Sequence, residues 1–468
     1  MDIPVKNINE TDTICAISTP HGTGGVAMIR ISGTDAMRVV AKIWKGADVE
    51  GMKSHTAHLG QILDAHGEVM DDVVATVFHA PNSFTGENVV ELSCHGSLWI
   101  QQQILGLLVD AGCRLAKPGE FTQRAFLNGR LDLSQAEAVA DLISSSSRAS
   151  HRIAMNQMKG AFSRSLNSLR DELLHFVSLI ELELDFSEED VTFANRNELV
   201  ALANKIYSSI SALAKSYHSG NAIKNGVPVA IVGATNAGKS TLLNALLHED
   251  RAIVSEIRGT TRDVIEDTIQ IDGTLFRFID TAGIRNSSDK IEQMGIERTF
   301  AKIKTSDIVL WVIDATAGAD ELAEFSARLL PCCETQKLIA VINKTDIASP
   351  HEAECFVSRN LPKAEVISIS AHDAGDVARL QQVISKAAEI PQITSGDSVI
   401  VSNIRHYEAL THACEAIDRV RSGLSGGISG DLLSQDIREC MHYLGEITGE
   451  ITSDDVLGNI FSHFCIGK

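Results

Sequence analysis

The sequence predicts an α/β phosphate-binding domain inserted into an all-α domain, the two preceded by a small α+β unit. Three observations carry that prediction. Gly233-Ala-Thr-Asn-Ala-Gly-Lys-Ser240, with Thr241 behind it, fits the pattern G-x-x-x-x-G-K-[ST] and follows the apolar run Val227 to Val232. No proline lies between Pro118 and Pro228 or after Pro391, and both stretches are rich in Ala, Leu, Ser, Glu and Gln, which permits long helices. Residues 1–120 instead alternate short apolar runs, TICAIST, GVAMIRIS and DDVVATVF, with Gly, Pro and Asn turns, the pattern of a small mixed unit.

Composition bounds the rest. A chain of 468 residues exceeds one ordinary core, so about three domains are expected. Hydrophobic content of 44% against 22% charged describes a globular chain rather than a disordered one. Lys and Arg number 41 against 61 Asp and Glu, a formal charge of -20. Such a surface does not attract nucleic acid by bulk electrostatics, so any RNA contact needs a local patch or a partner. The nine cysteines form no C-x-x-C pair and read as reduced thiols. The N-terminus has no apolar signal core, and no apolar run approaches the roughly 20 residues that span a bilayer. A cytoplasmic protein without membrane contact is expected.

In chain order, apolar residues recur at three- and four-residue steps in LSQAEAVADLISSS and SLRDELLHFVSLIELELDF, and again in HYEALTHACEAIDRV and DLLSQDIRECMHYL. One helical domain built from both segments, with the nucleotide domain between them, gives segments 1–125, 126–223, 224–382 and 383–468.

The phosphate loop aims backbone N–H groups and the start of a helix, KSTLLNALLH, at one anionic spot. There Asn236, Ala237, Gly238, Lys239, Ser240 and Thr241 line the nucleotide, Lys239 reaching the outer phosphates and Ser240 holding Mg2+. Gly259-Thr-Thr-Arg-Asp263 follows, with Thr261 placed to complete magnesium coordination when a terminal phosphate is present. The strand-like LFRFID runs into Asp280, Thr281, Ala282 and Gly283, where Asp280 holds magnesium through water and the Gly283 N–H meets the terminal phosphate. Asn343-Lys344-Thr345-Asp346 follows LIAVIN, and the Asp346 carboxylate accepts from the ring N–H and exocyclic amine of guanine, which adenine does not present. Ser370 and Ala371, after VISIS, form the matching loop, with the Ala371 backbone at the guanine oxygen. Motifs in this order identify GTP as the ligand.

Ile284 stands where related enzymes carry a glutamine that orients the attacking water. Asp289 and Glu292 are within loop reach to replace it. Charge compensation is open between Arg258, Arg262 or Arg285 and a monovalent cation held by Asn236.

TPHGTGGVAMIRISG, PNSFTGENVVELSCHG, KPGEFTQRAFLNGRLDLSQAEAVADLI, GATNAGKST, GTTRD, DTAGIR, NKTD and the terminal FCIGK together resemble the MnmE (TrmE) family of tRNA modification GTPases over essentially the whole chain. The resemblance implies a P-loop GTPase domain inserted into an all-α helical domain, behind a folate-binding-like α+β N-terminal domain through which a homodimer forms. It implies work with a flavin-dependent partner, MnmG, on carbon five of the wobble uridine of tRNAs, with a reduced folate (formyl- or methylene-tetrahydrofolate) as one-carbon donor. The group installed is of the aminomethyl or carboxymethylaminomethyl type. It further implies K+ bound by Asn236, Ser255, Ile257 and Thr260, water oriented by Glu292, and folate held by Arg30, Glu91, Arg130 and Lys468. Cys465 becomes a candidate thiol at the one-carbon site. The family commonly has PPGRGG where this chain has Pro20-His-Gly-Thr-Gly-Gly25, so His21 and Thr23 are departures. The competing expectation is a GTP-dependent RNA-binding switch or ribosome-assembly factor without modification activity, for which a basic RNA-binding appendage is expected and the acidic flanks offer none.

Overall fold

The computed structural model describes residues 12–185, 196–248, 267–279, 303–333, 335–388, 399–426, 428–462, 464 and 466–467. Its contacts divide into two units, one of residues 1–143, 155–210 and 409–468, the other of 144–154 and 211–408.

The chain begins with β1 (Ile14–Ile17), β2 (Gly24–Ser32), α1 (Ala36–Ala41), β3 (Trp44–Lys45), β4 (Thr56–Leu63), β5 (Val69–Phe78), β6 (Val89–Gly96), α2 (Leu98–Asp110), β7 (Arg114–Leu115) and α3 (Glu120–Leu127). The strands form one sheet in the order β3-β4-β5-β6-β2-β1-β7. Its strands alternate, as one-sided burial requires. Ile29, Ile31, Val73, Ala75 and Leu92 share a core with Val40 of α1 and Ile104 of α2. Ile14 and Ala16 instead pack with Ala116 and Phe121.

Long helices follow, as the proline-free stretch predicts: α4 (Leu133–Ser144), α5 (Arg148–Met158), α6 (Ala161–Asp185), α7 (Arg196–Lys215) and α8 (Tyr217–Asn225).

The nucleotide region then runs β8 (Val227–Val232), α9 (Lys239–His248), β9 (Asp267–Ile271), β10 (Thr274–Ile279), β11 (Ile308–Asp314), α10 (Ala319–Leu329), β12 (Lys337–Asn343), α11 (His351–Asn360), β13 (Glu365–Ser368) and α12 (Ala374–Ala387). Strand order is β13-β12-β11-β8-β10-β9. All pairings are parallel except β9 on β10. Successive residues feed two cores, which is why these strands read as continuous apolar runs. Val229, Ile231, Leu310 and Val341 pack with Leu242 and Leu246 of α9 and Leu380 and Ile384 of α12. Ala230, Val232, Trp311 and Ala340 pack with Leu322 of α10 and Val357 of α11. The edge at 382 expected from sequence falls inside α12, between those two core residues.

The chain closes with α13 (Ile404–Gly426), α14 (Gly430–Thr448) and α15 (Asp454–Ser462). Leu457 and Phe461 of α15 share a core with Leu133 and Ala136 of α4. The segments entering and leaving the nucleotide region lie side by side. Val401 N–H donates to Ser216 Oγ at 3.0 Å, and Tyr217 stacks on Tyr407 with ring centroids 4.5 Å apart. A Cβ on Gly220 would fall 2.0 Å from the Val401 carbonyl oxygen, so only glycine permits this approach. Adjacent entry and exit are what an inserted domain requires. Among the described residues no helix is long and apolar enough to cross a membrane.

Candidate functional site

The carboxyl ends of β8, β11 and β12 converge on the phosphate loop, where ligands bind in open α/β sheets. The loop leaves β8 at Gly233, where a Cβ would sit 2.2 Å from the Val312 carbonyl oxygen. It enters α9 at Gly238, where φ is +94° and a Cβ would fall 2.2 Å from Asn343 Nδ2, which again excludes a side chain. Asn236 takes φ +62°, a left-handed conformation that asparagine tolerates better than most residues. The Lys239 ammonium is held over the loop, donating to the Gly233 carbonyl at 2.9 Å and the Ala234 carbonyl at 2.7 Å. Ser240 is half-buried and Thr241 exposed in the first turn of α9. Glycines that a Cβ would obstruct, an ammonium over the loop and a helix start behind it fit a polyphosphate.

Asn343, 2% exposed at the end of β12, joins three loops. Its Nδ2 donates to the Ala237 carbonyl at 3.0 Å, its Oδ1 accepts from the Ala371 N–H at 3.0 Å, and its carbonyl accepts from Ala315 N–H at 3.0 Å. The Ala371 N–H expected at the guanine oxygen is therefore already engaged by Asn343. Lys344 adopts φ +69°, and its ammonium pairs with Asp314 Oδ2 at 2.7 Å. Asp346 is exposed, and its carboxylate makes no hydrogen bond among the described residues. Ser370 N–H donates to Asp376 Oδ2 at 2.8 Å, which fixes the loop beside Ala371.

Two carboxylates here escape a sequence reading. Asp314 Oδ1 accepts from Thr316 N–H at 2.9 Å and Thr316 Oγ1 at 2.7 Å, while Oδ2 takes Lys344. Burial raises its pKa, but Lys344 and Thr316 outweigh burial and hold the carboxyl below the usual range. The available signal was IVLWVID, an apolar strand ending in an acid, the pattern that singled out Asp280. Asp376 is held low by Arg379, with the Ser370 N–H second. Its signal was the pair Asp373 and Asp376, in which Asp373 caps α12 by accepting the Asp376 N–H at 3.0 Å.

Ser255, Ile257, Thr260, Thr261, Asp280, Thr281, Ala282, Gly283 and Glu292 lie outside the described residues, as do Ile284, Asp289 and the three candidate arginines. Cys465 and Lys468 do so as well.

In the N-terminal sheet Arg30 on β2 stands directly opposite Glu91 on β6. Nε and Nη2 donate to Glu91 Oε1 at 2.9 and 2.8 Å, with the side chains 18% and 17% exposed. The guanidinium lies 5.2 Å from the Phe84 ring centroid and 5.7 Å from that of Phe121, within cation–π range. Both bonds use Oε1, so that among the described residues Glu91 Oε2 is open for a ring N–H. Arg130 is exposed, and its stem runs over Gly86, where a Cβ would be 3.1 Å from Arg130 Cγ. The tail reaches the same sheet: Ser18 Oγ, just past the end of β1, donates to the Gly467 carbonyl at 3.1 Å, and Ala16 on β1 pairs with Arg30. An aromatic-flanked ion pair with an open acceptor fits a pterin-like ring. The departures His21 and Thr23 lie on an exposed loop, whose Gly22 carbonyl accepts from Gln101 Nε2 at 3.3 Å.

Residues 13–130 match the family model described as GTP-binding protein TrmE N-terminus, and residues 133–465 match that of the MnmE helical domain. The chain is 54% identical over 465 residues to the tRNA modification GTPase MnmE of Bacteroides thetaiotaomicron, covering 98% of this chain and 99% of that one. The protein of the same name in Parabacteroides distasonis is 54% identical over 461 residues, covering 97% and 100%. That of Porphyromonas gingivalis is 49% identical over 468 residues, covering 98% and 98%. The phosphate-loop GTPase fold thus lies within an MnmE helical domain behind a TrmE N-terminal domain. The chain belongs to the MnmE family of tRNA modification GTPases.

Proposed function

We propose that this chain hydrolyses GTP and couples hydrolysis to modification of the wobble uridine of tRNAs, with a flavin-dependent partner of the MnmG type and a reduced folate as one-carbon donor. The observation that carries the GTPase reading is Asn343 joining the phosphate loop to the Ala371 loop while the Asp346 carboxylate stands open. Lys239 and Ser240 hold the phosphates and Mg2+, with Thr261 and Asp280 completing that shell, and Thr281, Ala282 and Gly283 sense the terminal phosphate. Asn236, Ser255, Ile257 and Thr260 hold K+, which supplies positive charge beside the transferred phosphate. Glu292 orients water in place of the hydrophobic Ile284.

The second site is read as a folate site on the Arg30–Glu91 pair, with Arg130 and the tail residues Cys465 and Lys468 beside it. It makes the chain more than a GTP-dependent RNA switch, which has no use for a folate site. A homodimer through the N-terminal domain, the segment boundaries 125 and 223 with a third beyond α12, and a cytoplasmic location belong to the same reading.

GTP turnover in potassium against sodium buffer tests the nucleotide half. Much faster turnover in potassium is expected, and Glu292→Ala should slow it about 100-fold while leaving GTP affinity unchanged. Equal rates in both salts would remove the cation from the account.

A further inference from the structure

In the N-terminal sheet β2 and β6 set residues opposite one another in the order Ser32–Val89, Arg30–Glu91, Met28–Ser93 and Val26–His95. The residues between them, Ile31, Ile29 and Ala27 on β2 and Val90, Leu92 and Cys94 on β6, belong to the core. By strand alternation the four pairs share the other face. That face is closed at one end, where Ser32 and Val89 are 0% and 1% exposed. From the Arg30–Glu91 pair toward the end of β6 it opens: Met28 and Ser93 are half-buried, and Val26 and His95 are exposed. β5 and β4 widen the open part, with the exposed Val74 opposite Ser93 and the exposed Leu59 opposite Val74. A ring seated at Glu91 Oε2 therefore has one open direction along the strands, toward His95, four residues and about 13 Å away.

The His95 side chain is 67% exposed, yet one buried carboxylate fixes both its backbone and its ring. Pairing of β5 with β6 runs from Phe78–Val89 to Val74–Ser93. Beyond it Asp71, whose side chain is 6% exposed, bonds to β6 through its carboxylate. Oδ2 accepts from the His95 N–H at 2.9 Å, and Oδ1 lies 2.6 Å from His95 Nδ1. A carboxylate has no proton to offer, so Nδ1 is the donor and Nε2 the outward nitrogen. Nε2 makes no hydrogen bond among the described residues. Ordering an exposed side chain loses rotamer freedom, and what it yields here is a ring nitrogen held in one place on the open face. In its imidazolium form the ring offers Nε2–H to an anion while Asp71 holds Nδ1–H.

We infer that the strip from Met28 and Ser93 to His95 seats the aminobenzoyl-glutamate part of a reduced folate, with His95 Nε2 donating to a glutamate carboxylate. The inference rests on the reading of the Arg30–Glu91 pair as a pterin site. A folate carries its pterin and its carboxylates at opposite ends, with an aromatic ring between them. The strip offers partners in the same order: an acceptor at Glu91, the apolar Met28 and Val74 on either side of Ser93, and a ring donor at His95. Arg130, whose stem runs over Gly86 in the loop before β6, stands toward the closed end. His95 is thus a specificity residue that separates a folate from a bare pterin, and Asp71 is the residue that positions it.

The test is calorimetry on the full chain with two probes, formyltetrahydrofolate and dimethyltetrahydropterin, which lacks the aminobenzoyl-glutamate part. The wild type should bind the folate more tightly than the pterin. His95→Ala should weaken folate binding about 10-fold, as expected for one lost hydrogen bond to a charged group, and leave pterin affinity unchanged. His95→Gln, which keeps a donor, should recover part of the loss. Asp71→Asn, which keeps an acceptor for the His95 N–H, should weaken folate binding several-fold, and combining it with His95→Ala should add no further loss, because Asp71 acts through the ring. Unchanged folate affinity in His95→Ala would overturn the inference while the pterin site stands. So would equal losses of folate and pterin affinity, the mark of a disturbed sheet, or a folate preference that Arg130→Ala removes and His95→Ala retains. Binding of neither probe by the wild type would overturn the pterin reading, and the inference with it.

Discussion

Asn343, at the carboxyl end of β12, donates its side-chain amide to the Ala237 carbonyl of the phosphate loop at 3.0 Å, across 106 positions of sequence. With the same amide accepting from Ala371, one buried side chain sets the spacing between the loop that holds phosphate and the loops that read the base. Asn343→Ala leaves both partners buried without a bond, each worth about 1–3 kcal/mol. GTP affinity measured by calorimetry should fall on the order of 10- to 100-fold. Asp346→Asn should instead keep the site intact and move preference from guanine toward xanthine nucleotides.

Asp314 holds Lys344, and among the described residues no other acid does so. Removing it releases an ammonium beside the base-reading Asp346 and leaves Thr316 without its acceptor. Asp314→Ala should weaken GTP binding several-fold in the same calorimetric assay, with partial recovery in Asp314→Glu; wild-type affinity in the Ala variant would reject the positioning role.

How much of this was legible follows from where the determinants lie. β8 and α9 appear at the residues expected, because a parallel strand buried on both faces and a glycine-bounded loop leave strong local marks. Asn343 and Asp346 were legible by motif. The tie from Asn343 to Ala237 was not, because it joins segments 106 residues apart. Arg124 is a second case: it bonds to Glu120 four residues away, but also to Glu87 and Asp12, 37 and 112 residues away. Composition carries no trace of such pairing. The 382 boundary cuts α12 before its end because Ala, Gln and Lys continue a helical pattern with no local stop.

That Arg124 network gives the N-terminal unit an acid-sensitive element. Glu120 is 2% exposed; burial raises its pKa, and Arg114, the Lys117 N–H and Arg124 outweigh burial and hold it below its ordinary 4.5. Asp12 is likewise held below 3.8 by Arg114 and Arg124 against its burial. A depressed folded-state pKa contributes stability that is fully present above the unfolded value and is lost as pH falls through the folded one. Urea midpoints should therefore be flat above about pH 5 and decline below it, and Glu120→Gln should lower the neutral-pH midpoint while flattening the decline.

The Arg30–Glu91 pair should separate the two sites. Glu91→Gln and Arg30→Ala should abolish the calorimetric signal of a reduced folate while leaving GTP turnover at the wild-type rate. Folate binding that survives both substitutions would remove the N-terminal site from the account.

The central claim is that nucleotide chemistry in this chain serves tRNA modification. Mass-spectrometric analysis of wobble uridines in tRNA from cells lacking the chain tests it most directly, with complementation by the wild type and by Asn343→Ala. The account predicts loss of the carbon-five modification, restoration by the wild type and none by Asn343→Ala; normal wobble nucleosides in the deleted cells would contradict it.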